Sequence, residues 1–433
     1  MNKNVLKIAI PSIFANITLP LVGMVDLAIA GRLGDASLIG AIAIATMLFD
    51  LLYWNMGFLR VGTGGLIAQA YGRRDFKSAM KVFTQGITTA LAIALLIWAI
   101  QYLFIEAAFY FIECSPEVET LARDYFFIRI WAAPATLSLF VFKGFFIGMQ
   151  NAISPMAVDL TVNLLNLAAS LFFALYIGMG FNGIAMGTVI AQYAGMILSF
   201  ILISTYYKKI IKYLNFSESI KLKEIGRFFA INANLFVRSI CFLFIYAGFT
   251  SLSAKYGDIP LAAGSIIMKL MLFYSYFIDG FAYAGEALAG RYIGAKEKIL
   301  LSKAINVIFK WCIVIGVLST IVFTLWSIPM CRLMTNSQEV LDEISRFLPW
   351  LLVMPILSCL AFTWDGIFIG ATATKAIRNS MIYAVIGFFI CYFTLNAEWG
   401  IHSLWCGYIA HVVIRAAYLT LTAKKEVYSK AHR

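Results

Sequence analysis

The chain has 433 residues, of which 62% are hydrophobic and only 13% are charged, and its net charge is +12. This composition lies well outside that of soluble globular domains and predicts a protein whose solvent is the lipid bilayer. It leaves no room for a separate soluble domain.

Twelve apolar stretches follow one another along the chain, and each reaches the roughly 20 residues that a spanning helix needs. We expect the longer ones to tilt or kink, because surplus apolar length is accommodated in that way. The predicted spans are 6–31, 37–70, 83–111, 120–149, 154–178, 181–207, 225–252, 259–291, 302–330, 340–371, 376–396 and 399–423.

The basic residues are concentrated in alternate connections between these spans. Lys and Arg prefer cytoplasmic loops, so this distribution predicts that both termini are cytoplasmic and argues against nucleic acid as the partner of the positive charge. The segments that share the basic side are 1–7, 73–81, 208–227, 291–303, 375–378 and 424–433.

The sequence contains an internal repeat. The pattern Gly-x-x-x-Gly at Gly144 returns at Gly366, and Tyr71-Gly72 returns as Ile293-Gly294, each 222 residues later. Such repeats are typical of secondary transporters. We therefore predict a first lobe at 1–207, a cytoplasmic linker at 208–224 and a second lobe at 225–433. Because six spans return the chain to the same side, the lobes should be related by an axis along the membrane normal.

Asp26 is the sharpest functional candidate, since an ionisable group inside a span costs roughly 2.5 to 3.5 kcal/mol to insert. It follows Pro20 by six residues. Pro20 removes a backbone hydrogen bond and should kink the helix, so protonation of Asp26 could be coupled to a bend. The alternative is that Asp26 merely lies at the outer end of the helix.

Polar residues also lie along one face of the fifth span. Asn163, Asn166 and Ser170 follow each other at three and four residues, with Thr188 available from the sixth span. Such a stripe either holds helices together or lines a water-filled site. The combination favours a lined cavity.

Further ionisable residues lie inside the predicted spans. For Arg238 we favour a structural role, since buried ion pairs often have one, whereas for Asp279 and Asp365 coupling and structure both stay open. These candidates are Asp50, Lys143, Arg238, Lys269, Asp279, Glu286 and Asp365.

The sequence lacks the motifs of several kinds of binding and catalytic site. The sequence has no phosphate-binding loop of the form G-x-x-x-x-G-K-[ST], so we expect no nucleotide and an ion gradient as the energy source. His402 and His411 lack the partners of a metal site, and we expect neither a metal nor a cofactor. An intramembrane enzyme remains a remote alternative.

Four segments carry a resemblance to a known family. Residues 11–34 (PSIFANITLPLVGMVDLAIAGRLG) and 57–64 (GFLRVGTG) resemble the first two spans of multidrug and toxic compound extrusion (MATE) transporters, especially the DinF-like branch. Residues 276–288 (YFIDGFAYAGEAL) and 365–372 (DGIFIGAT) resemble its eighth and tenth spans. The resemblance covers the whole chain.

The resemblance implies an all-α integral membrane protein, with twelve transmembrane helices in two six-helix lobes related by pseudo-two-fold symmetry about the membrane normal. It implies that Asp26 carries the coupling ion, that the first span bends at Pro20 in response, and that Asn166 and Thr188 are two further ligands of the same site. Ser170 departs from the aspartate that the family typically has there, which should lower the affinity for Na⁺. Asp50 and Lys143 could restore the charge balance as a pair.

We therefore expect a proton-coupled antiporter, with Na⁺ less favoured, that exports small organic and often cationic compounds by alternating access. It should be a monomeric multi-pass protein of the inner membrane, in contact with the lipid bilayer. The alternative is a flippase for lipids or lipid-linked oligosaccharides. A flippase for anionic headgroups should present several cations, and few candidates exist.

Overall fold

A computed structural model describes residues 1–32, 36–112, 114–214 and 222–431, with only part of the side chains in the first and tenth helices. All regular secondary structure in these ranges is helical. Residues 215–221 of the predicted linker and residues 432–433 lie outside the described residues.

The first half of the chain forms nine helices within the described ranges. They are α1 (Asn2–Arg32), α2 (Ala36–Trp54), α3 (Phe58–Gly72), α4 (Phe76–Phe111), α5 (Pro116–Arg129), α6 (Ala133–Gly148), α7 (Ile153–Leu171), α8 (Phe181–Tyr206) and the short α9 (Lys208–Ile211). The second half forms six more. They are α10 (Leu222–Ser253), α11 (Asp258–Gly294), α12 (Lys298–Arg332), α13 (Gln338–Gly370), α14 (Thr374–Trp399) and α15 (His402–Glu426).

Eleven helical segments of the described residues are long and apolar enough to cross a membrane. They coincide with eleven of the predicted spans, because apolar runs of this length bury their backbone polar groups only as helices. The remaining predicted span, 6–31, lies within the 31-residue helix α1.

Two spans of the first half are interrupted. A 3₁₀ turn at Asn55–Gly57 separates α2 from α3, and another at Ile130–Ala132 separates α5 from α6. Pro134 explains the second break, since it has no N–H with which to continue the helical ladder. The corresponding helices of the second half, α11 and α13, run without a break.

The chain divides into two compact units. The N-terminal unit comprises Phe14–Ala70 and Asp75–Phe229, and the C-terminal unit comprises Met1–Ile13, Tyr71–Arg74 and Ala230–Arg433. The first thirteen residues therefore pack with the C-terminal half, where Ala9 and Ile13 lie against Gly280. The boundary of the predicted lobes at residues 208–224 stays a prediction.

The repeated glycines make equivalent contacts in the two units. A Cβ atom added to Gly144 would lie 2.5 Å from the carbonyl oxygen of Arg60, and one added to Gly366 would lie 2.1 Å from that of Ala282. Arg60 and Ala282 are separated by the same 222 residues as the two glycines. In both units the missing side chain lets two helix backbones approach closely, so the repeat reproduces a helix-packing contact.

Candidate functional site

Asp26 is buried in α1, with only 6% of its surface exposed. Its Oδ1 atom has no hydrogen-bond partner among the described residues. Pro20 lies six residues earlier on the same helix and cannot donate a backbone hydrogen bond. Beside it, the Asn163 side chain donates to the carbonyl oxygen of Thr18 at 3.3 Å. The carboxyl group therefore lies on a helix that is weakened at Pro20 and tied to α7 near that point.

Asn166 and Thr188 form a direct contact between α7 and α8. Asn166 Nδ2 donates to Thr188 Oγ1 at 2.9 Å, and both residues are buried. The hydroxyl group of Tyr125 also contacts Thr188 and interacts electrostatically with Asp26. Asn166 keeps its Oδ1 atom without a hydrogen-bond partner among the described residues. Tyr125 thus links the predicted pair Asn166 and Thr188 to the surroundings of Asp26.

Arg129 adds a cation to this site, and the sequence analysis did not single it out. It interacts electrostatically with Asp26, Asp50 and Tyr53. Its Nη1 atom lies 3.5 Å from the hydroxyl oxygen of Tyr125, and its guanidinium group lies 4.5 Å from the ring centre of Phe49. Arg129 ends α5 at the break before Pro134. The sequence contained a sign of its importance, since Arg129 lies nine positions inside the predicted span 120–149 and shortly before a proline.

Ser170 has a packing contact. Its hydroxyl group donates to the carbonyl oxygen of Ile184 at 3.4 Å, and the residue is fully buried. A Cβ atom added to Gly187 would lie only 2.4 Å from the Ser170 hydroxyl oxygen. Five residues of π-helix, Phe172–Tyr176, follow directly after α7. Ser170 therefore lies where α7 and α8 approach closely, just before an irregular turn of helix.

The ion pair of Lys143 differs from the predicted one. Lys143 Nζ lies 2.6 Å from Asp159 Oδ1, so α6 and α7 are joined by this pair. The predicted pairing of Lys143 with Asp50 is wrong. Asp50, on α2, is an exposed residue and interacts electrostatically with Arg129 instead. Lys143 and Asp50 thus belong to two different charge clusters.

We predict that reversal of Lys143 to Asp destabilises the protein by about 3 kcal/mol, because it leaves Asp159 facing a like charge in a largely buried place. The double variant Lys143→Asp with Asp159→Lys should recover most of the loss. Thermal unfolding in detergent measures both. Asp50→Lys serves as the control, and recovery of the Lys143→Asp variant by that change would contradict the observed pairing.

In the C-terminal unit, Asp365 has two arginine partners on two different helices. Arg238 Nη2 of α10 lies 3.2 Å from Asp365 Oδ2, and Arg415 Nη2 of α15 binds the same oxygen. Asp365 and Arg415 are almost fully buried. The structure therefore joins two of the candidate residues, Arg238 and Asp365, in one charge cluster. The cluster also includes Arg415, which was not among the candidates although it lies deep in the predicted span 399–423.

Two further predicted residues lie on α11. Glu286 is fully buried and Asp279 is partly buried. Gly370 packs against the backbone of Glu286, where an added Cβ atom would lie 2.3 Å from the carbonyl oxygen. This close approach holds α11 against α13.

Comparison with known proteins agrees with this architecture. The MatE family model matches residues 11–172 and again residues 235–396. The two matches place one copy of the family unit in each half of the chain, as the internal repeat predicts. Together they cover most of the sequence.

Individual relatives extend over nearly the full chain. DNA damage-inducible protein F of Escherichia coli is 31% identical over 96% of this chain and 91% of its own. Multidrug and toxin extrusion protein 1 of Oryctolagus cuniculus is 24% identical over 95% of this chain and 72% of its own. The MATE transporter VcmN of Vibrio cholerae, solved in the bent form, has a TM-score of 0.86 at 18% identity, with 99% of this chain and 97% of that chain covered. The chain therefore belongs to the MatE family of membrane transporters.

Proposed function

We propose that the protein is a proton-coupled antiporter that exports small organic compounds, and that Asp26 carries the coupled proton. The observation that supports this most directly is the buried carboxyl group of Asp26, whose Oδ1 atom has no hydrogen-bond partner among the described residues. A carboxyl group inside a spanning helix is costly to insert, so its presence indicates a functional site. Pro20 weakens the same helix, so a bend there can follow the protonation of Asp26.

Two features of the N-terminal unit support H⁺ over Na⁺ as the coupling ion. Arg129 interacts electrostatically with Asp26, so its fixed positive charge repels a sodium ion that binds at Asp26. Ser170 supplies a hydroxyl group that is already bonded to the carbonyl oxygen of Ile184. A sodium ion prefers several hard and charged oxygen ligands, whereas a proton needs only one carboxylate.

The substrate class and the setting belong to the same proposal. The name of the rabbit relative, multidrug and toxin extrusion protein 1, supports organic compounds as substrates. The basic segments on alternate connections support cytoplasmic termini in a cell membrane, which is the inner membrane if the cell has two. We expect a monomer.

The flippase alternative receives little support from the charges. A site for anionic headgroups needs cations that are available to them, but Lys143 is paired with Asp159. Arg238 and Arg415 share Asp365, and of these two only Arg238 has an accessible side chain, so the cluster offers one such cation and not several.

Transport in proteoliposomes tests the proposal. The purified full-length protein should drive rhodamine 6G across the membrane under a pH gradient without sodium, and a protonophore should abolish the flux. A sodium gradient at equal pH should produce no flux. Equal flux under the sodium gradient would overturn proton coupling, and no dye flux under either gradient would overturn the antiporter function for this class of compound.

A further inference from the structure

The charge cluster of the C-terminal unit carries one uncompensated positive charge. Two guanidinium groups, those of Arg238 and Arg415, bind a single oxygen of Asp365. The members lie on α10, α13 and α15, so three spanning helices meet there. A net charge left inside a membrane-spanning unit is costly, and natural proteins keep such charges where a ligand or a pathway needs them.

Both the arginines and Asp365 have hydrogen-bonding capacity that this cluster does not use. A guanidinium group has five N–H donors. The Nε atom of Arg415 is buried and has no hydrogen-bond partner among the described residues, and the same holds for Oδ1 of Asp365. Beyond its bond to Asp365, Arg415 has the ring of Phe362 at 5.6 Å from its guanidinium carbon. The cluster is therefore well fixed but incompletely paired.

Arg238 is the accessible member. Its side chain is 26% exposed, whereas those of Arg415 and Asp365 are 2% and 4% exposed. It lies well inside the spanning segment Phe228–Tyr256. An arginine at that depth does not face hydrocarbon, so its open side belongs to a polar or water-filled region. It donates one bond, to Asp365, and the rest of its planar fork matches a carboxylate.

The neighbouring titratable group on α15 does not supply a negative charge. His411 is one turn before Arg415, is buried, and interacts electrostatically with it. Its ring lies 4.6 Å from that of Tyr408. Tyr408 also interacts electrostatically with Arg415, and together with Phe362 it places aromatic rings near the charge, which suits a planar organic group there.

We propose that the Arg238, Asp365 and Arg415 cluster binds a carboxylate of an organic substrate, so that the transported compounds include aromatic acids as well as cations. The incoming carboxylate replaces part of the bonding of Asp365 to Arg238 and neutralises the excess positive charge. That such acids are transported rests on the proposed export function, but their binding at this site does not depend on proton coupling.

Binding of a matched pair of compounds tests the site. The full-length protein in phosphatidylcholine nanodiscs should bind 1-naphthoate about tenfold more tightly than the neutral 1-naphthamide, since a charge-assisted bidentate contact discriminates by that order. Arg238→Gln should abolish the preference. Arg332→Gln, which removes an exposed arginine at the end of α12, should keep it. No preference in the wild type, or a preference that survives Arg238→Gln, would overturn the proposal.

Asp365→Asn separates a binding site from a purely structural ion cluster. It keeps the shape and one acceptor oxygen while removing the competing carboxylate, so naphthoate should bind several-fold more tightly. A structural cluster predicts no gain, and thermal unfolding shows whether the variant is folded. If Asp365→Asn is unfolded, the more conservative Arg238→Lys replaces it, and retention of the full acid preference by that variant would contradict bidentate binding.

Two further measurements identify the ligand and separate this proposal from the export function. Nanodiscs that contain phosphatidylglycerol should leave naphthoate binding unchanged, and competition by that lipid would assign the site to a headgroup instead. Rhodamine 6G flux under a pH gradient is measured on the wild type and should persist in the control variant Arg332→Gln. Failure of dye flux in the wild type contradicts the export function, while failure of the acid preference contradicts only this site.

Discussion

Replacement of Asp26 by asparagine is expected to abolish dye export while leaving the protein folded. Asparagine has nearly the same size as aspartate but neither binds nor releases a proton. Since Asp26 Oδ1 has no hydrogen-bond partner among the described residues, the change breaks no observed contact at that atom. Burial of a charge that lacks a hydrogen bond is costly, so its removal offsets the lost interaction with Arg129, and the melting temperature should change little.

The measurement is rhodamine 6G flux in proteoliposomes under a pH gradient, together with thermal unfolding of the same preparation. Asp26→Asn should reduce the flux to that of protein-free vesicles. Asp124→Asn, which changes an exposed acid in α5 of the same unit, should retain full flux. Wild-type flux in a folded Asp26→Asn variant would contradict the coupling role and would direct attention to the acids of the C-terminal unit.

The sequence was sufficient for features that depend on the chemistry of one segment at a time. Hydropathy located the spans, because a helix is the only way for an isolated apolar segment to satisfy its backbone in lipid. Helical periodicity placed Asn163 and Asn166 on one face, and the structure shows both in contacts with neighbouring helices. The polar stripe joins helices, whichever further role it has.

Pairing between helices was harder to predict. Lys143 could have paired with any of several acidic residues in the first half of the chain, and only the packing of α6 on α7 selects Asp159. Arg129 and Arg415 were missed for a related reason. Each is a single charge in an apolar run, and its significance depends on an acid from a distant part of the chain, Asp26 for one and Asp365 for the other. A single sequence contains no distances between such residues.

The internal repeat leads to a second large effect, because the same packing contact occurs in both units. Ala at position 144 would bring its Cβ atom to 2.5 Å from the carbonyl oxygen of Arg60, and Ala at position 366 would bring it to 2.1 Å from that of Ala282. Both obstacles are backbone atoms of a neighbouring helix and not the ends of flexible side chains. The helices must separate, and overpacking of this kind costs roughly 1 to 3 kcal/mol or more.

We therefore predict that Gly144→Ala and Gly366→Ala each lower the melting temperature by several degrees, with the larger loss for Gly366→Ala because its contact is shorter. Gly57→Ala is the matched control, since no atom lies within 4 Å of a Cβ added there. Alanine favours helix over glycine by about 1 kcal/mol, so stabilisation by Gly144→Ala would mean that propensity outweighs packing and that the repeated contact is not close. Equal losses at the two glycines would instead indicate that the helices relax until both units reach the same separation.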